Sequence, residues 1–148
     1  MIKLLVVISF LFLAGCASVQ DRSEITTRNN IERLVVDVAN REGVPAHIAL
    51  GLVSVESRFN PRALGAAGEI GLVQIKYQSA RGIGYTGTRA QLFNPETNLV
   101  WGMRYLRHAT RNRWDCAGVS SYQRGRASAH VCTSYGRMLL ARAEQFRR

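Results

Sequence analysis

Glu56 is the residue in this sequence best placed to do chemistry. It follows an apolar run that includes Ile48, Ala49, Leu50, Leu52 and Val53, and its neighbours Val55 and Phe59 offer a carboxylate little solvation. A helix through that run would also set Glu56 near the negative end of the helix dipole. Desolvation and dipole both disfavour the anion, so both push the carboxyl pKa up. An acid that keeps its proton near neutrality can protonate a leaving oxygen, which is the first requirement of glycoside cleavage. On local grounds alone, a salt bridge from Glu56 to Arg58 or Arg62 is the simpler account of the same residue.

The surrounding pattern is more specific. Glu56-Ser57-Arg58-Phe59-Asn60-Pro61-Arg62-Ala63 is followed by Gly68-Glu69-Ile70-Gly71-Leu72-Val73-Gln74-Ile75. Further on come Asn98-Leu99-Val100-Trp101-Gly102-Met103-Arg104-Tyr105-Leu106 and Ser121-Tyr122-Gln123-Arg124-Gly125. Four blocks in this order, with the Glu56-to-Gln74 interval kept, resemble the lytic transglycosylases related to goose-type lysozyme. The resemblance covers about residues 45 to 126.

That resemblance implies an all-α, lysozyme-like domain with a groove for a glycan strand of peptidoglycan. It implies that Glu56 is the sole catalytic acid. Glu56 would protonate the oxygen joining N-acetylmuramic acid to N-acetylglucosamine, then accept the proton of the muramic acid C6 hydroxyl as that oxygen closes on C1. No water is consumed, so a second carboxylate to hold water is not required. By the same resemblance, Ser57 helps to orient the acid or the substrate. Gln74 contacts the sugar, Tyr122 brings its hydroxyl near the acid or the cationic sugar, and Gln123 is a substrate-binding amide. Gln123 stands where many relatives have asparagine, Val73 where methionine is usual, and Tyr77 where proline is common. Tyr77 could offer a stacking face to a sugar, whereas Tyr105 reads as core.

Two other readings stand beside this one. A hydrolytic muramidase on the same fold would need a second acid to position water, and Glu69 or Asp115 are its candidates. Glu69, between glycines, reads as a solvent-exposed loop residue. A non-catalytic wall-binding or assembly lipoprotein is the other reading, and the intact acid motif argues against it.

The elements that must position these residues read as helices. Ile31, Leu34, Val35 and Val38 form one apolar stripe at helical spacing, and Gly43 marks its stop. Pro45 begins a second helix, apolar nearly all round and therefore central, which carries Glu56 and Ser57 at its end. Residues 61–89 are glycine-rich and read as loops and short helical turns. Asn94-Pro95-Glu96 is a strong helix start, with a capping side chain, a proline at the first position and an acid at the positive end. Residues 115–124 form a further short helix, and a last helix runs from about Thr133 with Tyr135, Leu139 and Phe146 as core contacts. No segment alternates as a strand.

The amino terminus is a separate matter. Met1-Ile2-Lys3 is a short basic start, and the apolar run Leu4 to Ala14 is too short to cross a bilayer, which needs about 20 apolar residues. It fits a secretory signal. Leu13-Ala14-Gly15-Cys16 resembles the lipobox of bacterial lipoproteins, which implies acylation of Cys16. With Ala17 following, it also implies residence on the periplasmic face of the outer membrane. The expected organisation is a signal peptide at 1–15, a polar tether at 16–26 and the catalytic domain at 27–148. General wall turnover and the opening of a gap for a secretion apparatus both fit the sequence; small size and the lack of an added wall-binding domain favour local gap-making with a partner.

The 148 residues carry a net charge of +10. Loss of the signal removes Lys3 and leaves about 130 residues near +9, enough for one modest core. A basic balance implies a polyanionic neighbour. Secretion argues against nucleic acid and for a wall that bears peptide carboxylates. Two cysteines then remain, Cys116 and Cys132, and in an oxidising compartment an even pair reads as a disulfide. His47, His108 and His130 are scattered, so no metal site is expected, and the chemistry needs no cofactor.

Overall fold

The computed structural model describes residues 13–124 and 131–147, with side chains from residue 27 onward. Most of the expected signal peptide, and Gly125 of the fourth block, lie outside the described residues. Cys16 lies where the backbone alone is described.

The described residues are helical, as expected. Among them six α-helices follow in order: α1 Leu13–Arg41, α2 Ala46–Ser57, α3 Tyr77–Gly82, α4 Pro95–Thr110, α5 Cys116–Arg124 and α6 Ser134–Glu144. A 3-10 turn, Ala90–Phe93, precedes α4. The segment expected to act as a tether, 16–26, is helical backbone continuous with α1. Extended pairing among the described residues is limited to isolated bridges, Leu64 with Ile70 and Ile70 with Ile75.

The second helix is the axis of the domain. Ile48 through Val53 are all buried, and α2 packs against both α1 and α6. The contact with α6 is close because Gly51 has no side chain: a Cβ there would sit 2.8 Å from the Ala143 backbone. Five residues past Gly51 along α2 stands Glu56. Eight residues before Ala143 along α6 stands Tyr135. The two helices therefore run in opposite senses, and their pairing brings these two residues to the same end.

Local sequence explains where α2 and α4 end and begin. Asn94 caps α4 by accepting the Thr97 N–H at 3.0 Å, with Pro95 in the first turn. The second helix stops at Ser57, earlier than Asn60-Pro61 required, because Arg58 and Phe59 both take left-handed backbone, φ 53° and 66°. This strained turn buries Phe59 against Phe146, ring centroids 6.1 Å apart, and redirects the chain into the loop that walls the site.

One buried side chain holds that loop. Asn98 on α4 accepts the Val73 N–H at 3.0 Å, and its amide nitrogen donates to the carbonyls of Ile70 at 2.8 Å and Leu92 at 3.0 Å. Each of these bonds stands in for water that the buried loop backbone lacks. Asn98→Leu should therefore cost about 3 kcal/mol or more, since it strands the Val73 amide and strips a donor from two carbonyls. A urea melt of the variant measures the loss, and an unchanged midpoint refutes this role.

Candidate active site

A cavity of about 470 Å³ opens beside the end of α2. Glu56 lines it, together with Glu69 and Gln74 from the loop, Tyr105 from α4, and Tyr122 and Gln123 from α5. Four of the expected site residues, Glu56, Gln74, Tyr122 and Gln123, thus share one wall system. Ser57 does not line the cavity. Its hydroxyl donates back along the helix to the Val53 carbonyl at 3.2 Å.

Glu56 is partly buried, and among the described residues it has no cationic partner. Its partner is Tyr135, whose hydroxyl donates to Oε1 at 2.5 Å. Burial raises the Glu56 pKa, the Tyr135 bond pulls it back, and the Glu69 charge adds to the rise. The net direction is upward, so desolvation outweighs the hydrogen bond. Tyr135 is itself buried, and its hydroxyl pKa is pushed far up by that burial and by the Glu56 charge. It stays a neutral donor throughout the physiological range.

Tyr135, expected as a core contact, is thus the hydrogen-bond partner of the acid. Tyr122, expected near the acid or the sugar, lines the same cavity. The Tyr122 hydroxyl donates to the Val73 carbonyl at 2.6 Å, and its ring meets Tyr105 edge-on at 5.4 Å. Burial raises its pKa first and the charge of Glu56 second, so it lies within electrostatic reach of the acid without being its partner. Tyr105, read as core, both packs on Tyr122 and lines the cavity.

Gln74 takes left-handed backbone, φ 48°. Its amide nitrogen donates to Gly71 at 2.9 Å and Ala63 at 3.2 Å, which folds the loop on itself. Tyr77 does not line the cavity; its ring packs edge-on to Tyr85 and its hydroxyl donates to the Gly87 carbonyl at 3.3 Å.

The two candidate second acids separate. Asp115 caps α5, accepting the Gly118 N–H at 2.7 Å, and pairs with Arg113. Glu69 is in the cavity wall rather than freely solvated. It accepts the Ala67 N–H at 3.0 Å and lies 3.4 Å from Lys76 Nζ. Its own backbone amide first, and Lys76 and Ala67 further, hold its pKa below the usual carboxylate value.

Cys116 and Cys132 are joined, with Cα atoms 5.0 Å apart. The bridge ties the first residue of α5 to the residue before Thr133, which caps α6 by accepting the Gly136 N–H. Gly136 lets these helix starts meet, since a Cβ there would strike Ser120 Oγ and come 2.5 Å from the Cys116 carbonyl oxygen. Tyr135 stands between Thr133 and this contact, so the bridge fixes the donor to the acid more directly than it fixes Tyr122.

Fold and site together define a helical domain whose groove carries one protonatable, hydrogen-bonded acid. The family profile of the transglycosylase SLT domain matches residues 33–133. The chain belongs to that family, whose fold is the lysozyme-like helical one. It is also 32% identical over 109 residues to proteins named endo-type membrane-bound lytic murein transglycosylase A. These come from Salmonella paratyphi B (strain ATCC BAA-1250 / SPB7), Salmonella enteritidis PT4 and Salmonella typhimurium. The alignment covers 64% of this chain and 54% of each relative, so the chain spans about half the length of the curated relatives it matches.

Tyr135→Phe should raise the Glu56 pKa further, because it removes the donor that favours the carboxylate. Tyr122→Phe should leave that hydrogen bond intact and loosen Val73 instead. Carbon-13 titration of the Glu56 carboxyl in both variants decides. An unmoved pKa in Tyr135→Phe would refute the division of roles.

Proposed function

We propose that this protein is a peptidoglycan lytic transglycosylase, with Glu56 acting first as acid and then as base. One observation carries the reading. The cavity presents one carboxyl whose pKa burial raises, held by a neutral tyrosine and by no cation among the described residues, while the other carboxylate in the wall is engaged by Lys76 and backbone N–H. The family and the relatives' names point the same way.

In this reading Glu56 donates its proton to the glycosidic oxygen as the bond from C1 of N-acetylmuramic acid breaks. The C6 hydroxyl oxygen of the same sugar bonds to C1, and its proton passes to the Glu56 carboxylate. The products are a 1,6-anhydro end and a free N-acetylglucosamine hydroxyl, and the acid is restored. Tyr135 keeps Glu56 in one orientation through both transfers, and its bond favours the carboxylate of the second. Gln74, Gln123 and Tyr122 line the path of the strand, and Ser57 serves the acid through the helix end.

A second reading rests on Glu69. It shares the cavity with Glu56, and their environments push the two pKa values in opposite directions, which is how an acid and a base are told apart. A hydrolase would use Glu69 to orient water and would leave a reducing end.

Product analysis separates the two. Native protein on purified peptidoglycan should release anhydro-ended fragments, one water lighter than reducing ends. Glu56→Gln should cut the rate by a hundredfold to ten-thousandfold or more, about the size of a lost general acid. Because a raised pKa penalises the folded state once the carboxyl ionises, the same variant should melt higher at neutral pH. That gain should fade as pH falls below the ordinary glutamate pKa, where both proteins are neutral at this position. Full turnover in Glu56→Gln, or reducing ends from native protein, would reject the assignment.

No helix among the described residues is long and apolar enough to cross a membrane. We propose attachment to the periplasmic face of the outer membrane through a lipid on Cys16, on the strength of the lipobox-like sequence. Cys16→Ser should move the protein from the membrane fraction to the soluble one. Continued membrane fractionation with bound lipid would overturn the anchor.

A further inference from the structure

The start of α6 is held by two kinds of bond. One is covalent: Cys132 is joined to Cys116, the first residue of α5. The other is a set of hydrogen bonds around Ser120. Thr133 donates its backbone N–H and its hydroxyl to Ser120 Oγ, each at 3.1 Å, and the Ser120 hydroxyl donates to the Cys116 carbonyl at 2.6 Å. Two residues beyond Thr133 stands Tyr135, the donor to Glu56. The rest of α6 packs along α2, with Leu139 and Ala143 buried. Breaking the covalent bond alone therefore leaves α6 in place and loosens only its first turn.

The surroundings of the two sulfurs are not those of an inert staple. Cys132 is exposed, and Arg137, in the first turn of α6, sets Nη1 3.7 Å from its Sγ. Cys116 is half-buried at the amino end of α5, a nine-residue helix, and that end favours negative charge. The carboxylate of Asp115, next in the chain, is paired with Arg113 at 2.6 Å. A cation beside one sulfur and a helix start at the other both favour thiolate over thiol. Each cysteine is thereby a better leaving group in thiol–disulfide exchange.

We propose that this bridge is a redox-controlled positioning device. Its reduction releases the start of α6, weakens the bond from Tyr135 to Glu56 and slows glycan cleavage in a domain that stays folded. The proposal rests on the glycan-cleaving reading given above. The reductant is a dithiol. One of its thiolates attacks the exposed Cys132 Sγ, the bond to Cys116 breaks, and Cys116 leaves as a thiolate at the helix start. The second thiolate of the reductant then closes on the first sulfur and expels the Cys132 thiolate beside Arg137. Two electrons and two protons pass from the dithiol to the bridge, so the reductant ends as a disulfide and the protein as two thiols. Without the Tyr135 donor, burial acts on Glu56 unopposed and its pKa rises further. The second proton transfer, which needs the carboxylate, then loses the group that favours it.

The full chain is compared oxidised, reduced with dithiothreitol and reoxidised. Helical circular dichroism should persist on reduction. Turnover of peptidoglycan should fall roughly tenfold or more, since small displacements at a catalytic group cost rate steeply, and reoxidation should restore it. Carbon-13 titration should show the Glu56 pKa raised by reduction in the native chain and unmoved by reduction in Tyr135→Phe, where the donor is already gone. A bridge that merely staples the fold would shift both proteins alike. Arg137→Gln should keep the oxidised rate and be harder to reduce by about threefold in equilibrium constant, the scale of one exposed charge. Unchanged turnover in the folded, reduced chain would overturn the proposal. So would loss of the helical signal on reduction, or an equal pKa shift in Tyr135→Phe. An Arg137→Gln bridge as easily reduced as the native one would overturn the role given to Arg137. The glycan-cleaving reading fails on a different result, the absence of anhydro ends from the oxidised protein.

Discussion

The hydrogen bond from Tyr135 to Glu56 is the contact on which the site depends, and it joins residues 79 positions apart. Neither helix could hold it alone. Glu56 is on the last turn of α2, where backbone order normally fades, and Tyr135 is on the first turn of α6. What fixes their separation is the crossing at Gly51 and Ala143, close enough that a methyl group would not fit. At the other end of α6, the Cys116–Cys132 bridge and the Thr133 cap hold its start against α5. A rigid acid needs both restraints. A helix free to slide would lengthen a 2.5 Å bond at once, and a displaced catalytic group loses rate steeply, about a hundredfold for 1 Å.

The same contact settles a conflict in the electrostatics. Burial favours protonated Glu56, as an acid requires, whereas the tyrosine favours the carboxylate, as a base requires. Desolvation is the larger influence, so the resting state is displaced toward the acid. The hydrogen bond limits that displacement and supplies orientation. A cationic partner such as Arg58 or Arg62 would have stabilised the anion and left no proton to give. The left-handed turn at Arg58 and Phe59 takes the chain away from the helix axis directly after the acid, and among the described residues no arginine pairs with Glu56.

Much of this was legible in the sequence, and what was hidden has a common cause. The bounds of α4 follow from Asn94-Pro95-Glu96 because capping is local. Glu56 stands out because its apolar surroundings are its own helix. Gln74 was reached through block spacing, and the cysteine pairing through the oxidising compartment that the signal implied. Tyr135 was not reached, since an aromatic residue spaced with Leu139 looks like any core side chain, and its hydroxyl partner belongs to another helix. Asn98 was seen as the first letter of a motif, yet its work is to bond Ile70, Leu92 and Val73 at once. Periodicity tells which face of a helix is buried. It does not tell which helix lies across it, and both missed roles are relations across helices.

The loop 63–76 gives the second wall its character by fixing charge where a mobile loop would scatter it. Its short bridges place Ile70 between Leu64 and Ile75, Asn98 and Tyr122 grip Val73 from opposite polar groups, and the Gln74 amide closes the turn. Glu69 is thereby held in the cavity wall, ionised, with its own backbone, Ala67 and Lys76 as partners. From there its charge reaches Glu56 and adds to the effect of burial. The two carboxyls of one cavity are thus pushed apart, Glu56 toward the acid and Glu69 toward the carboxylate. This holds because the carboxyl with local donors is on the loop and the one with little solvation is on the buried helix. The division follows from the fold itself, since only a helix buried nearly all round can bring a carboxyl into the domain with so few groups to stabilise its charge.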